Sequence, residues 1–354
     1  MIKDKNIDPG ASIGIDKLGF PNIISGKHTD GSLPKILWIA KGGADAAGAT
    51  GVSHVGSRNE PFLTGNGTAG AMVYTVDGRG DRLIYGPGIW REDLDFGSGT
   101  GTTGVAGRMN KRDIGIYGSG GAHTGRTQIV GDSTAGGTNP TIRVRDGYLR
   151  GFILSDVEVG NEDTADADLA NYLVELVTED TGVLVATSSD EYAVLNNVDL
   201  ISDTTARGGL LLTGTTMLKS YGLTVAGCIF GIAFRGSSNN NPDHCRFWDT
   251  EFFDNVTADV AAVTLPGGPA QAAVAANVDA GTLSNIKFTR AHFNDRGGTP
   301  VTNYINLPNG GTYVNVMFFP AWFARDVADD TLLAVGANVV VIGDDAAGAV
   351  NIIG

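Results

Sequence analysis

The chain has 354 residues, of which 52 are glycine and 42% are apolar. The glycine share is about twice the usual one, yet the apolar share is too high for a disordered glycine-rich chain, so glycine serves as a turn residue in an ordered, mostly β protein. With 25 basic against 39 acidic residues the net charge is −14; this opposes nucleic acid and anionic lipid as partners, and no basic run interrupts it.

The first segment, 1–34, is MIKDKNIDPGASIGIDKLGFPNIISGKHTDGSLP. Its isolated apolar residues follow neither a helical nor a strand period, so it reads as an extended arm that gains order by lying on a partner. It lacks the apolar core of a signal peptide, and no stretch approaches the roughly 18 apolar residues of a membrane span. Synthesis in a cytoplasm is expected.

From Lys35 the pattern changes. Ile36 to Ala40 reads as a short strand, followed by a polar loop that ends in EPFLT at 60–64. Thr68 to Asp77 predicts an amphipathic helix: Ala69, Met72, Val73 and Val76 recur at i, i+3, i+4 and i+7 on one face, and Gly78 supplies a stop. Leu83-Ile84-Tyr85 then reads as a strand that is interrupted by Gly86-Pro87-Gly88 and resumes at Ile89-Trp90. Proline has no amide hydrogen for a sheet ladder and glycine weakens a strand, so the triplet marks a corner.

This order of ILWIAKGGAD, EPFLT, AGAMVYTVDG and RLIYGPGIWRED resembles the start of the right-handed parallel β-helix of pectin-esterase-like and phage-appendage proteins. The resemblance spans 36–95. It implies an all-β solenoid with an extended N-terminal arm and one N-terminal capping helix, whose Met72, Val73 and Val76 plug the first coil. The expected divisions are the arm 1–34, a β-helix start with the capping helix at 35–95, and coils with closing strands at 96–354.

Later segments repeat. Aligning NNVDLISD, YGLTVAGCIFG, CRFWDTEFFDN, SNIKFTRAHFND and VNVMFFPAWFAR on Val198, Leu223, Phe247, Ile286 and Val316 gives offsets of 25, 24, 39 and 30, closer to a solenoid than to a propeller. Two residues on stand Leu200, Val225, Asp249, Phe288 and Phe318; seven on stand Thr205, Phe230, Asp254, Phe293 and Phe323. Apolar residues therefore stack from coil to coil, with breaks in two repeats. A stack of β-sandwiches is the alternative. Val339 to Ile342 and Val350 to Ile353 read as closing strands that stack on the last coil or pair with neighbouring chains.

Glycoside cleavage requires two carboxylates roughly 5 to 10 Å apart. Asp249 and Glu251 stand at i, i+2 with Trp248 beside them as a sugar platform; the plainer reading is a solvated outer strand face. Asp156 and Glu158 share the ambiguity with less aromatic support. The catalytic motifs of pectin esterases are not found, and Asp163, Asp166 and Asp168 read as a solvated loop rather than a calcium set. The glycines at 99, 101 and 104 open no helix and read as a turn, as does Arg79-Gly80-Asp81. His28, His54, His123, His244 and His292 lack metal spacing, Cys228 and Cys245 read as buried reduced thiols, and no cofactor is expected.

The arm itself, IKDKNIDPGASIGIDKLG, resembles a segment common at the start of phage virion proteins, through Ile2, Ile7, Ala11, Ile13, Lys17 and Leu18. The resemblance implies a non-enzymatic structural protein on the surface of a bacteriophage particle, as a capsid decoration or a tail spike. It further implies anchoring to another virion protein, assembly in threes, and a host-surface glycan as a further partner. A polysaccharide-degrading tail spike is the alternative.

Overall fold

The computed structural model describes residues 24–25, 34–43, 58, 61–65, 70–96, 112–118, 126–131, 140–145, 149–161, 172–177, 192–202, 208–215, 217–235, 241–262, 282–294, 301–307, 312–325 and 332–353. Expectations for Ile2, Ile7, Ala11, Ile13, Lys17 and Leu18, for the glycines at 99–104, and for Asp163, Asp166 and Asp168 lie outside these residues.

The apolar runs become strands that bend once and then cross to another sheet. Leu218–Ala226 followed by Phe230–Arg235 is one such coil. Before it come Phe152–Asn161 with Tyr172–Val177, and Ala193–Ile201 with Gly208–Thr213. After it the first strand is split at the bend: Arg246–Trp248 and Glu251–Phe253 precede Ala258–Ala262, and Lys287–Thr289 and Ala291–Asn294 precede Asn303–Leu307. Successive coils pair in parallel, giving a 16-stranded main sheet and an 8-stranded second sheet among the described residues. The architecture is a parallel β-helix.

Parallel strands lie about 4.8 Å apart, so each inward side chain falls on its counterpart in the next coil. Phe247, Phe288 and Phe318 stack at 4.4 and 4.7 Å between ring centroids, and Phe252, Phe293 and Phe323 at 5.0 and 4.8 Å. Each pair adds roughly 0.5–1.5 kcal/mol beyond its burial. The register corrects the aligned third repeat. Phe247 pairs with Ser220 and Phe288 rather than with Leu223 and Ile286, and Phe252 takes the place beside Val225. Asp249 and Asp254, which broke the aligned columns, are corner residues with φ of 54° and 50°.

Corners are built from left-handed residues, a conformation that Asn and Asp tolerate better than most. His244, Asn285, Asn315 and Asn338, with φ between 52° and 66°, stand just before successive strands of the main sheet. Asn315 donates to Asn285 at 2.8 Å, and Asn285 donates to Asp243 at 3.0 Å. The Gly86-Pro87-Gly88 corner lies where expected: Arg82–Tyr85 ends before it, and the next strand, Gly88–Arg91, begins at its last residue, one earlier than expected.

Thr68 and Ala69 lie outside the described residues, and over 70–77 the capping helix is not formed. Ala71–Tyr74 is a single 3-10 turn, whose three-residue period cannot hold positions 72, 73 and 76 on one face. Met72 is 1% exposed, but Val73 and Val76 are 53% and 44% exposed. The amide of Val76 is drawn away by the Asp81 carboxylate at 2.7 Å, which prevents a longer helix. Asp81 also accepts from the amide of Lys35 and pairs with Arg79, both side chains being buried, so Arg79-Gly80-Asp81 is a clamp rather than a plain turn. The first coil is instead covered by Ala71, Met72 and Phe62, with the Phe62 ring 5.2 Å from that of Tyr74. Buried Glu92 ties this cover down, accepting from the amide of Gly65 at 2.9 Å and from the Tyr85 hydroxyl at 3.0 Å.

At the other end Val339–Asp344 stacks in parallel on Val316–Phe323, and Ala349–Ile353 returns antiparallel. Stacking on the last coil, one of the two arrangements expected for these strands, is formed. The Asp345 carboxylate accepts from the amides of Ala347 and Gly348, both at 2.8 Å, and shapes the turn.

Candidate ligand-binding face

Alternate strand residues share a face, so Lys219 and Tyr221, Arg246 and Trp248, and Lys287 and Thr289 leave the main sheet outward, between the inward residues Ser220, Phe247 and Phe288. The parallel register turns these pairs into columns. One runs Ser155, Asn196, Tyr221, Trp248, Thr289. Within it the Tyr221 and Trp248 rings lie 4.7 Å apart and 7° from parallel, and Tyr221 is 40% exposed.

The next column is the bend. Asp156, Asn197, Gly222, Asp249 and Arg290 all have φ between 52° and 61°. Asn197 donates to Asp156 at 2.9 Å, and Arg290 grips Asp249 through two bonds, one of them 2.6 Å. The Arg290 guanidinium, by hydrogen bonding and by charge, holds the Asp249 carboxyl below the usual carboxylate range. Asp249 is thus an engaged anion at neutral pH, the opposite of a general acid.

Beyond the bend a third column runs Glu158, Asp199, Thr224, Glu251, His292, Trp322. Arg126 pairs with both Glu158 and Asp199, and Gln128 donates to Glu158 at 2.8 Å. His292 stacks on Trp322 at 4.5 Å, and Glu251 is exposed beside His292 in register.

Of the expected glycan residues, Trp248 therefore lies before the bend, Asp249 in it and Glu251 after it. The i, i+2 rule does not apply to Asp249 and Glu251, because the left-handed Asp249 ends one strand before the next begins at Glu251. Asp156 and Glu158 are both committed to neighbouring coils. Tyr221, Arg290, His292 and Trp322 were missed: they come from other coils, and only the correct register reveals them. Cys228 and Cys245 are buried free thiols, as expected. No group of three or more His, Cys, Asp and Glu that could hold a metal ion lies among the described residues.

The chain thus has a parallel β-helix with an aromatic and charged outer face on its main sheet. No protein-family model and no curated protein matches it. Among solved structures it is similar to pectin methylesterase PemA from Erwinia chrysanthemi, at 10% identity over 90% of this chain and 85% of that one, with a TM-score of 0.47. It is also similar to a pectin methylesterase in complex with hexasaccharide VII, at 12% identity, the same coverage and a TM-score of 0.37. Both are named as enzymes, which runs against the expectation of a non-enzymatic protein, drawn from the arm's resemblance to phage virion proteins and from the missing catalytic motifs.

Proposed function

We propose that this chain recognises a surface polysaccharide through the Tyr221–Trp248 face of its main sheet. The observation that carries the reading is the stacked, outward ring pair. Leaving aromatic area in water forgoes roughly 25 cal/mol per Å², and the apolar side of a sugar ring laid on Tyr221 and Trp248 recovers it. Asn196 stands in register beside Tyr221, the Asp249–Arg290 pair lies in the bend that follows, and Glu251 and His292 stand just beyond it, offering the few placed polar groups that orient a ligand.

The proposal places the protein on a bacteriophage particle, anchored to another virion protein by its arm and assembled in threes; the arm sequence with Ile2, Ile7, Ala11, Ile13, Lys17 and Leu18 supports this. Retention of purified bacterial surface polysaccharides, neutral and acidic, tests the first part. A Tyr221→Ala/Trp248→Ala variant should bind roughly five- to 150-fold more weakly, as two stacking contacts of about 0.5–1.5 kcal/mol each imply, while its stability falls by no more than the lost ring pair accounts for, about 0.5–1.5 kcal/mol. Equal retention by the variant, or none by either protein, refutes it. Removing 1–34 should abolish incorporation into particles and leave polysaccharide binding intact; continued incorporation refutes the anchor.

A second reading, cleavage of the bound polysaccharide, is favoured by Glu251 and His292, a carboxylate and an imidazole in register on adjacent coils beside the platform. Oligosaccharide release that Glu251→Gln abolishes would establish it; no release from a polysaccharide that binds would dismiss it.

A further inference from the structure

One column on this face is not used by the recognition of a neutral sugar. Two residues before Tyr221, Trp248 and Thr289 stand Lys219, Arg246 and Lys287, and the register places these three side by side on successive coils. Ile153 and Val194 precede them in the column, and Met317 and Val340 follow. The positive stretch is therefore confined to the three coils that carry Tyr221, Trp248 and Thr289.

Like charges in register on adjacent strands, about 4.8 Å apart, destabilise a sheet. None of the three has a carboxylate partner among the described residues; Arg246 donates to the backbone carbonyl of Asn285 at 3.3 Å, which leaves its charge uncompensated. In a chain of net charge −14, a column of three positive charges with no carboxylate partner among the described residues is a local exception that a bound anion would stabilise.

We infer that the polysaccharide is anionic and lies along the solenoid axis, its rings on Tyr221 and Trp248 and its acidic groups on Lys219, Arg246 and Lys287. The inference rests on the polysaccharide reading above and adds the charge of the ligand and its direction. A polymer fits better than a single sugar, because three charges and, on two of the same coils, two rings follow one another at about 4.8 Å, close to the length of one sugar unit. A polysaccharide fits better than a nucleic acid, because among the described residues this column offers three uncompensated positive charges, few against the net charge of −14 of the whole chain.

The test compares retention of carboxymethyl-dextran, dextran sulfate, neutral dextran and single-stranded DNA by the full chain and by Lys219→Gln/Lys287→Gln. Wild type should hold a charged dextran and not the neutral one, the two charged forms distinguishing carboxylate from sulfate. Retention should weaken as salt rises past about 0.1 M, where charges are screened over about 10 Å. The double variant should lose roughly tenfold, each exposed pair being worth at most a factor of about five, and its denaturation midpoint should stay or rise as repulsion is relieved. Equal retention of neutral dextran, no retention of either charged dextran, tighter retention of DNA, or a lowered midpoint in the double variant would each overturn the inference. If Tyr221→Ala/Trp248→Ala weakens polysaccharide binding and the lysine variant does not, the platform stands and the charge inference falls; the reverse pattern removes the platform.

Discussion

Replacing Met72 tests how the solenoid is closed. Met72 is 1% exposed and lies with Ala71 and Phe62 over the first coil, while Val73, one residue on, is 53% exposed. Met72→Ala removes a buried side chain and leaves a cavity, at a cost of about 2–5 kcal/mol against a typical net stability of about 5–15 kcal/mol. Met72→Asp adds an unpaired charge against the coil interior and costs more. Val73→Asp meets water and should stay within about 0.5 kcal/mol of wild type. The assay is urea denaturation: with a slope of about 1–3 kcal/mol per molar, a loss of about 3 kcal/mol moves the midpoint by roughly 1 M or more. Equal midpoints for Met72→Ala and Val73→Asp would refute the idea that this 3-10 turn seals the core.

The corner at Asn285, with φ of 53°, separates backbone from side-chain effects. Asn285→Ala should lose roughly 1–2 kcal/mol more than Asn285→Gly, since glycine keeps the left-handed backbone and loses only the hydrogen bonds; equal losses would show that the conformation is not the constraint. At Asp243 burial pushes the carboxyl pKa up, but hydrogen bonds from Asn285, Ser284 and His244 outweigh it and leave the value below normal. That stabilisation is present at neutral pH and is lost as the pH falls through the folded value. Asn285→Gly should raise the Asp243 pKa in an NMR titration, and no change would refute the linkage. Burial pushes the Cys245 thiol up to about 12 and the Cys228 thiol higher still, so at pH 8 neither should react with an alkylating reagent until the protein is unfolded; rapid labelling of the native protein would contradict their burial.

Local signals in the sequence located several features well. Gly86-Pro87-Gly88 marked its corner because a missing amide hydrogen and a missing Cβ act within a few residues. The closing strands around Asp345 were legible for the same reason, as alternation and turn chemistry are local properties. The helix expected over Thr68 to Asp77 failed for a non-local reason: Asp81 takes the amide of Val76 while also holding Lys35 and Arg79, and no period in residues 68–77 reports that competition. Likewise Asp249 looked like half of a carboxylate pair until its left-handed backbone and its partner Arg290, 41 residues away, came into view.

What the sequence by itself determined is a glycine-rich, turn-dense, all-β chain of short apolar runs between corner residues, each too short to bury itself alone; the choice of a β-helix over a stack of β-sandwiches came from the resemblance at 36–95 and was decided by the parallel coil-to-coil pairing. What only the tertiary structure decided is the face. Coil lengths vary, with 27 residues from Ser220 to Phe247 and 41 from Phe247 to Phe288, so no fixed period aligns Lys219, Arg246 and Lys287 or brings Tyr221 onto Trp248. Hydrogen bonding between parallel strands does so, because it brings residues far apart in sequence to about 4.8 Å and repeats that spacing at every coil.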